Sequence, residues 1–473
     1  MTDKSEEIKY QDDPDISVLL ESFRKATVPM EKFAAGIKLF DLADAKGRKE
    51  KSAAILDELE KNAYTDEQRN IVLIKRGENL LRQSRFEEAV VYLEKAIVGL
   101  SGNPNSLDLF HAYRNLAWVY FRQGYLERAR SFTDGAGLVL DLRAGKTDRE
   151  TASAKASLYH IMGLIDSTVG EHDRAIEYYD KEIGLLEELG EGSRTGSVYN
   201  NLSGIYKARG MFARALEFQL KSIEMAERSG ELLSVAISCN NLGEIYYTLG
   251  RYRPAREFYD RYLEINKRIN NLVGNAFGHA GLGRICQSTG DYQQAENEFA
   301  KALEVAGEVK GRGKEASILA EMAELYLAWG QPEKAVQCLD KAIQISLEIE
   351  RFNTHRHQVL NAKIIISRAM AAGPDRALLG KARDLLADIL SRTIIIEDEE
   401  AVSAIELEID ALYNLAKTDH HLGDTARAKE NIAKAIEKID SITGQLGPEL
   451  KESFLERKEI KEVFNSKEKI KNG

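Results

Sequence analysis

Asparagines stand side by side at Asn200-Asn201 and again at Asn240-Asn241, 40 residues later, and Asn115 and Asn414 fall in matching surroundings. A primary amide carries both donor and acceptor groups, and a peptide main chain offers the same two kinds of group in alternation. A row of amides therefore suits an extended chain held by its backbone, at about 0.5–1.5 kcal/mol net per neutral hydrogen bond. The same amides are equally able to bond a neighbouring helix and lock one structural unit to the next, and the sequence leaves both uses open. Asparagine is a mediocre helix former, so its recurrence within a helical pattern needs one of these reasons. Arg114, Lys207, Tyr247, Arg284 and Gln287 fall on the same predicted face. The cations there either meet an acidic or C-terminal ligand group or stay solvated. Trp118 and Phe121 either form an apolar pocket or pack against the chain's own N-terminal region.

Catalytic chemistry finds no foothold. The sequence has no P-loop, no strand-linked GxGxxG, no HExxH and no nucleophile elbow. His355, His357 and the His420-His421 pair lack cysteine or carboxylate neighbours at ligand spacing, so neither a metal nor a cofactor is expected. Cys239, Cys286 and Cys338 are too few and too scattered for a disulfide framework or a CxxC site, and read as small core residues.

The elements that must position these side chains show themselves as an internal period. A small residue recurs at Gly77, Ala117, Gly163, Ser203, Gly243, Gly283, Ala323 and Ala416, mostly at 40-residue steps, and the last step hides one degenerate unit near 357–395. Twelve residues after each stands an alanine: Ala89, Ala129, Ala175, Ala215, Ala255, Ala295, Ala335 and Ala428. Seven residues after it stands glycine in every unit but the first, which has Ser84. The small residues mark the point where two helices approach too closely for a bulky side chain. The glycine marks the turn between them, because it accepts a left-handed conformation at a helix end. Apolar residues at 3- and 4-residue spacing complete two amphipathic helices per unit. One such pair cannot bury its apolar face alone, so the units must stack. With the small residue counted as position 8, positions 4, 8 and 11 face the partner helix. Positions 2, 6, 9 and 13, flanked by 5 and 12, form the stripe that lines a groove, and this stripe holds the asparagines.

The order small–Tyr–Gly–Ala–aromatic–Ala resembles the tetratricopeptide repeat (TPR). Gly283, Gly290, Ala295, Phe299 and Ala302 reproduce it without the Tyr; Ala323, Tyr326, Gly330, Ala335, Leu339 and Ala342 reproduce it with Leu for the aromatic. The resemblance covers roughly residues 70–440, with a 40-residue period in place of the usual 34. It is similar to the longer subclass found in kinesin light chains, LGN/Pins adaptors and bacterial Rap-type peptide receptors. That resemblance implies an all-α, right-handed superhelix of about eight to ten helix-turn-helix units. It also implies that asparagines at the matching position hold a ligand backbone, a role that falls on Asn201 and Asn241, with Asn200, Asn240 and Asn115 beside them.

The expected organisation is a disordered acidic tail over 1–15, an N-terminal helical cap or degenerate repeat over 16–63, an array over 64–440, and a capping helix with a frayed end over 441–473. The formal net charge of −10 argues against general nucleic-acid binding. No apolar run reaches the roughly 20 residues of a membrane span, and the polar N-terminus is unlike a signal peptide, so a cytoplasmic protein is expected. The expected function is a non-enzymatic module binding a protein or peptide. Two alternatives stay open. One is a peptide-responsive signalling regulator, either of Rap-like type or a partner of a kinase or transcription regulator. The other is a scaffold that forms homo-oligomers through a terminal apolar face, for which Phe454, Leu455, Val463 and Phe464 are candidates.

Overall fold

The computed structural model describes residues 14–472 except 47, 144, 146–147, 350–354, 372 and 393–403. Most of the tail expected over 1–15, and the loop expected around 394–400, lie outside the described residues. Among the described residues the structure is all-α, with no strand beyond one isolated bridge. The chain divides into two compact units, Met1–Gly192 and Ser193–Gly473.

The first unit opens with α1 (Pro14–Lys25), α2 (Pro29–Ala45) and α3 (Lys49–Lys61). These share a core of Ile16, Phe23, Phe40, Leu56 and Leu59. Three hairpins follow: α4 (Asp66–Arg82) with α5 (Phe86–Leu100), α6 (Leu107–Arg122) with α7 (Leu126–Asp141), and α8 (Arg149–Thr168) with α9 (His172–Glu188). The second unit holds six: α10 (Thr195–Ala208) with α11 (Phe212–Ser229), α12 (Leu232–Thr248) with α13 (Tyr252–Arg268), α14 (Leu272–Ser288) with α15 (Tyr292–Glu308), α16 (Arg312–Ala328) with α17 (Pro332–Glu348), α18 (His355–Ala371) with α19 (Arg376–Leu390), and α20 (Ala404–Leu422) with α21 (Thr425–Thr443). Two helices end the chain, α22 (Pro448–Leu455) and α23 (Lys458–Asn472).

Local chemistry sets the helix ends. Thr65 and Gln68 form a reciprocal capping box at α4, and Ser106, Asp148, Asn271, Asp291 and Asp424 each accept a bond from the first turn of their helix. Each hairpin turn marked by glycine in the sequence has positive φ, for example 73° at Gly250, and Ser84 takes the same conformation at 59°. A second left-handed position between hairpins escapes the sequence pattern. It falls at Gly190, Gly230, Asn270 and Lys310, 40 residues apart, where only two of the four are glycine.

The small positions do what their spacing implies. A Cβ on Gly243 would lie 2.8 Å from the ring of Tyr259 in the facing helix. Ser203 uses the close approach differently, donating from Oγ to the Ala215 carbonyl at 2.8 Å. Aromatic pairs twelve residues apart stack beside these points: Tyr120 on Phe132, Tyr206 on Phe218 and Tyr246 on Phe258.

In unit 1, α4 touches α6 and α6 touches α8; in unit 2 the first helices α10, α12, α14, α16, α18 and α20 touch in succession. Second helices of successive hairpins make no comparable contact among the described residues. The first helices are therefore the more crowded row and line the inner, concave side of each stack. Unit 2 also closes on itself. The Gly210 turn packs against Ile405 and Ile442, and the Gly250 turn against the main chain of Ser453. The terminal apolar face expected for self-association is consumed by this packing. Phe454, Ile460 and Val463 are buried, and Leu455 and Phe464 half-buried, because α23 lies on α21 while α22 meets the α12–α13 turn.

Candidate functional site

The inner faces are zipped by side chains that reach from one hairpin to the next. In unit 1, Glu78 of α4 accepts from Asn115 Nδ2 at 3.0 Å and pairs with Lys75 at 3.2 Å and Arg114 at 3.5 Å. Arg114 Nη2 in turn donates to Asn115 Oδ1 at 2.7 Å. Asn115 is only 2% exposed, so its amide serves the joint between α4 and α6. Burial disfavours charge on Glu78, but Lys75 and Arg114 outweigh it and hold the carboxyl below its usual range. Burial also pushes the His111 imidazole down to about 4, with Arg114 adding to the effect. Trp118 packs edge-on to Phe121 at 5.7 Å and lies 6.2 Å from His160, forming a half-buried aromatic patch.

In unit 2 the asparagines divide their labour. Asn241 Nδ2 donates to Asn200 Oδ1 at 2.8 Å, and Gln219 donates to the same oxygen at 3.3 Å. Asn240 reaches Asn241 at 3.4 Å and Glu244 at 3.5 Å through its Nδ2. Asn201 is half-buried, and its amide has no hydrogen-bond partner among the described residues. Gln287 is in the same condition. Between Asn201 and Lys207, Gly204 stands exposed in mid-helix at position 9, and a Cβ built there meets nothing within 4 Å. The first-helix glycines 77, 163, 243, 281 and 283 each face a ring or an aliphatic side chain. Gly204 has no such reason in the fold.

The cations of the sequence reading are paired. Lys207 meets Glu244 at 3.0 Å. Arg284, 9% exposed, donates to the Tyr259 hydroxyl at 2.9 Å, approaches Glu321 at 3.5 Å and lies 5.6 Å over the Tyr247 ring. Tyr247 shares a 3.0 Å hydrogen bond with Ser288 of the next first helix. Burial works against charge on Glu244, yet Lys207 and Arg284 together hold its carboxyl below the ordinary range. Burial also opposes charge on Arg284, and Tyr259 and Glu321 more than offset it.

Sequence reasoning did not pair the acidic side chains of this stripe with its cations, nor foresee the zipper's continuation. Glu324 meets Arg356 at 3.4 Å, and Lys363 meets Asp410 at 2.9 Å. A signal was present. Glu78–Asn115, Lys207–Glu244 and Arg284–Glu321 are each 37 residues apart, one period less one near-turn of helix, which is the offset at which neighbouring first helices face each other. No group of three or more His, Cys, Asp or Glu residues is placed to hold a metal ion among the described residues, and no described helix is long and apolar enough to cross a membrane.

Stacked two-helix units with small residues at the crossings and an inner row of first helices define an α-solenoid of helical hairpins. Family models match along it: the MalT-like TPR region over residues 231–387, and tetratricopeptide-repeat models over 154–228, 111–133 and 409–437. The chain belongs to the tetratricopeptide repeat family. No curated protein matches it by sequence. Several solved structures share its fold. A Rap protein complexed with Competence and Sporulation Factor has a TM-score of 0.55 at 15% identity, covering 81% of this chain and 100% of that one. NprR in complex with its cognate peptide NprX gives 0.52 at 15%, covering 78% and 98%. Aspartyl phosphate phosphatase F from Bacillus subtilis gives 0.51 at 14%, covering 77% and 92%. At these identities the likeness is one of fold.

Proposed function

We propose that the chain is a non-catalytic binding module that takes an extended peptide, or the tail of a partner protein, along the inner face of unit 2. The observation that carries this reading is the set of polar groups left open on a face where most others are paired. Asn201 and Gln287 offer complete amides, Asn240 offers its carbonyl oxygen, and Gly204 leaves bare helix between them. A glycine in a helix interior costs about 0.5–1 kcal/mol relative to alanine, and here the fold would accept the alanine. A ligand main chain passing close to α10 supplies the reason. The likeness in fold to NprR bound to its cognate peptide supports the same direction. The test is selection from a random decapeptide library on the full chain, followed by Asn201→Ala and Gln287→Ala. Selected peptides that bind both variants as tightly as the parent would end this reading.

The fold likeness to the Rap protein and to phosphatase F favours a second reading, a regulator whose α1–α3 region meets another protein in response to the peptide. It requires hydrogen exchange over residues 14–61 to change when a selected peptide saturates the chain. Unaltered exchange there counts against it.

A further inference from the structure

The C-terminal segment reaches back onto two first helices of unit 2, α12 and α20. Arg457, between α22 and α23, donates from Nη1 to the Thr248 carbonyl at 2.7 Å and to Glu406 Oε1 at 2.8 Å. Its guanidinium lies 5.5 Å over the Phe454 ring, and its Nε is 3.8 Å from the Glu459 carboxylate. The Thr248 carbonyl belongs to the last turn of α12, where the final carbonyls lack partners within the helix and carry the negative end of its dipole. A second, exposed ion pair joins Arg251 to Glu449. Beyond Arg457, α23 lies on α21 and touches α20. Arg457, just before α23, thus joins the last turn of α12 to the first turn of α20 across unit 2.

This is more than the capping of a last hairpin. Capping is already achieved by α23 lying on α21, whereas Arg457 reaches a residue 209 positions back in the chain. Packing alone does not call for a buried guanidinium, since a buried ion pair is often no better than apolar residues of similar volume. The contact is also selective. Among the hairpin glycines of unit 2, 290, 330 and 423 meet nothing, Gly210 meets Ile405 and Ile442, and Gly250 alone is covered by α22.

We propose that α22–α23 is an intramolecular occupant of the inner face of unit 2, with Arg457 holding the place of a basic side chain of an extended peptide partner that displaces it on binding. The proposal rests on the groove reading above and adds the ligand's chemistry and the control of its entry. The partner carries an arginine or lysine that reaches the Thr248 carbonyl and the Glu406 carboxylate, and the free chain keeps that place filled.

The experiment uses the full chain, its Arg457→Ala and Arg251→Ala variants, and two fluorescent decapeptide pools that differ only in arginine or alanine at one central position. Hydrogen exchange is read over residues 246–252 and 448–460, and pool capture by anisotropy. Arg457→Ala should exchange at least tenfold faster in both segments and capture the arginine pool at least tenfold more tightly than the parent, with little change for the alanine pool. Arg251→Ala, which loses only the exposed pair, should move the same way to a lesser degree, and it carries the test if Arg457→Ala fails to fold. Unchanged exchange in a folded variant overturns the proposal, as does an equal gain for both pools. Equal capture by parent and variant removes it while leaving the groove reading standing. Capture by neither form, with the segment open, removes the groove reading as well.

Discussion

Asn201 and Asn241 occupy the same register position one unit apart, yet they have different duties, so their alanine variants should behave differently. Asn241→Ala removes the 2.8 Å bond to Asn200 and the long 3.4 Å contact from Asn240, and leaves the Asn200 oxygen with only the longer Gln219 contact. A neutral hydrogen bond contributes about 1 kcal/mol net, and alanine returns about 0.5 kcal/mol through its better helix propensity, for a net loss of about 0.5 kcal/mol. Asn201→Ala removes no bond within the chain and keeps the propensity gain, so it should be about 0.5 kcal/mol more stable than the parent. The resulting gap of about 1 kcal/mol corresponds to roughly 2–4 °C in melting temperature for a unit of this size. In binding the order reverses. Loss of one ligand hydrogen bond at Asn201 weakens a selected peptide by about 2- to 10-fold, and Asn241→Ala should weaken it less. Thermal melts by circular dichroism and peptide anisotropy read both quantities. The reasoning fails if Asn201→Ala melts several degrees below the parent while binding is untouched.

Three further outcomes are expected. Gly204→Ala should stabilise unit 2 by about 0.5–1 kcal/mol, because the added Cβ meets nothing, while weakening peptide capture; a loss of stability in urea melts would show that the glycine serves the fold. Lys310 sits at φ 52°, a conformation that costs a non-glycine residue roughly 1–2 kcal/mol, so Lys310→Gly should raise the urea midpoint by an amount worth about 1 kcal/mol. Burial, with Arg356 adding, pushes the His357 imidazole down to about 4, against about 6.5 in the unfolded chain. The folded state therefore favours the neutral ring. Its contribution is complete above about pH 6.5 and is lost as pH falls toward 4, on the order of 3 kcal/mol, and His357→Gln should flatten that part of the stability curve.

The array was legible because its marks are steric. Gly243 and Ala255 are small since Tyr259 and the facing helix leave no room, and such constraints repeat with the unit. The left-handed position at Asn270 and Lys310 was hidden because nothing there is glycine, although Gly190 and Gly230 hold the same place. The asparagine row was visible, but its division of labour was not. Asn200 and Asn201 are one residue, about 100° of helix, apart, and only the placement of α12 decides which of them turns toward Asn241. The pairing of Lys207 with Glu244 and of Arg284 with Glu321 left a trace in the 37-residue offset, but all four side chains stood on one predicted stripe, and only the packed helices decide which of them meet. Contacts such as Arg457 with Thr248 leave no periodic trace, because they join segments that share no repeat.

An open row of hairpins frays from its weaker end, each unit answering only to its neighbours. Unit 2 is tied across its length. Its first two hairpin turns carry Ile405, Ile442 and Ser453 from the far end of the same unit. Melting should therefore be concerted across all six hairpins, and refolding should wait on contacts between segments some two hundred residues apart, the kind of distant closure that slows a chain otherwise built from local helices.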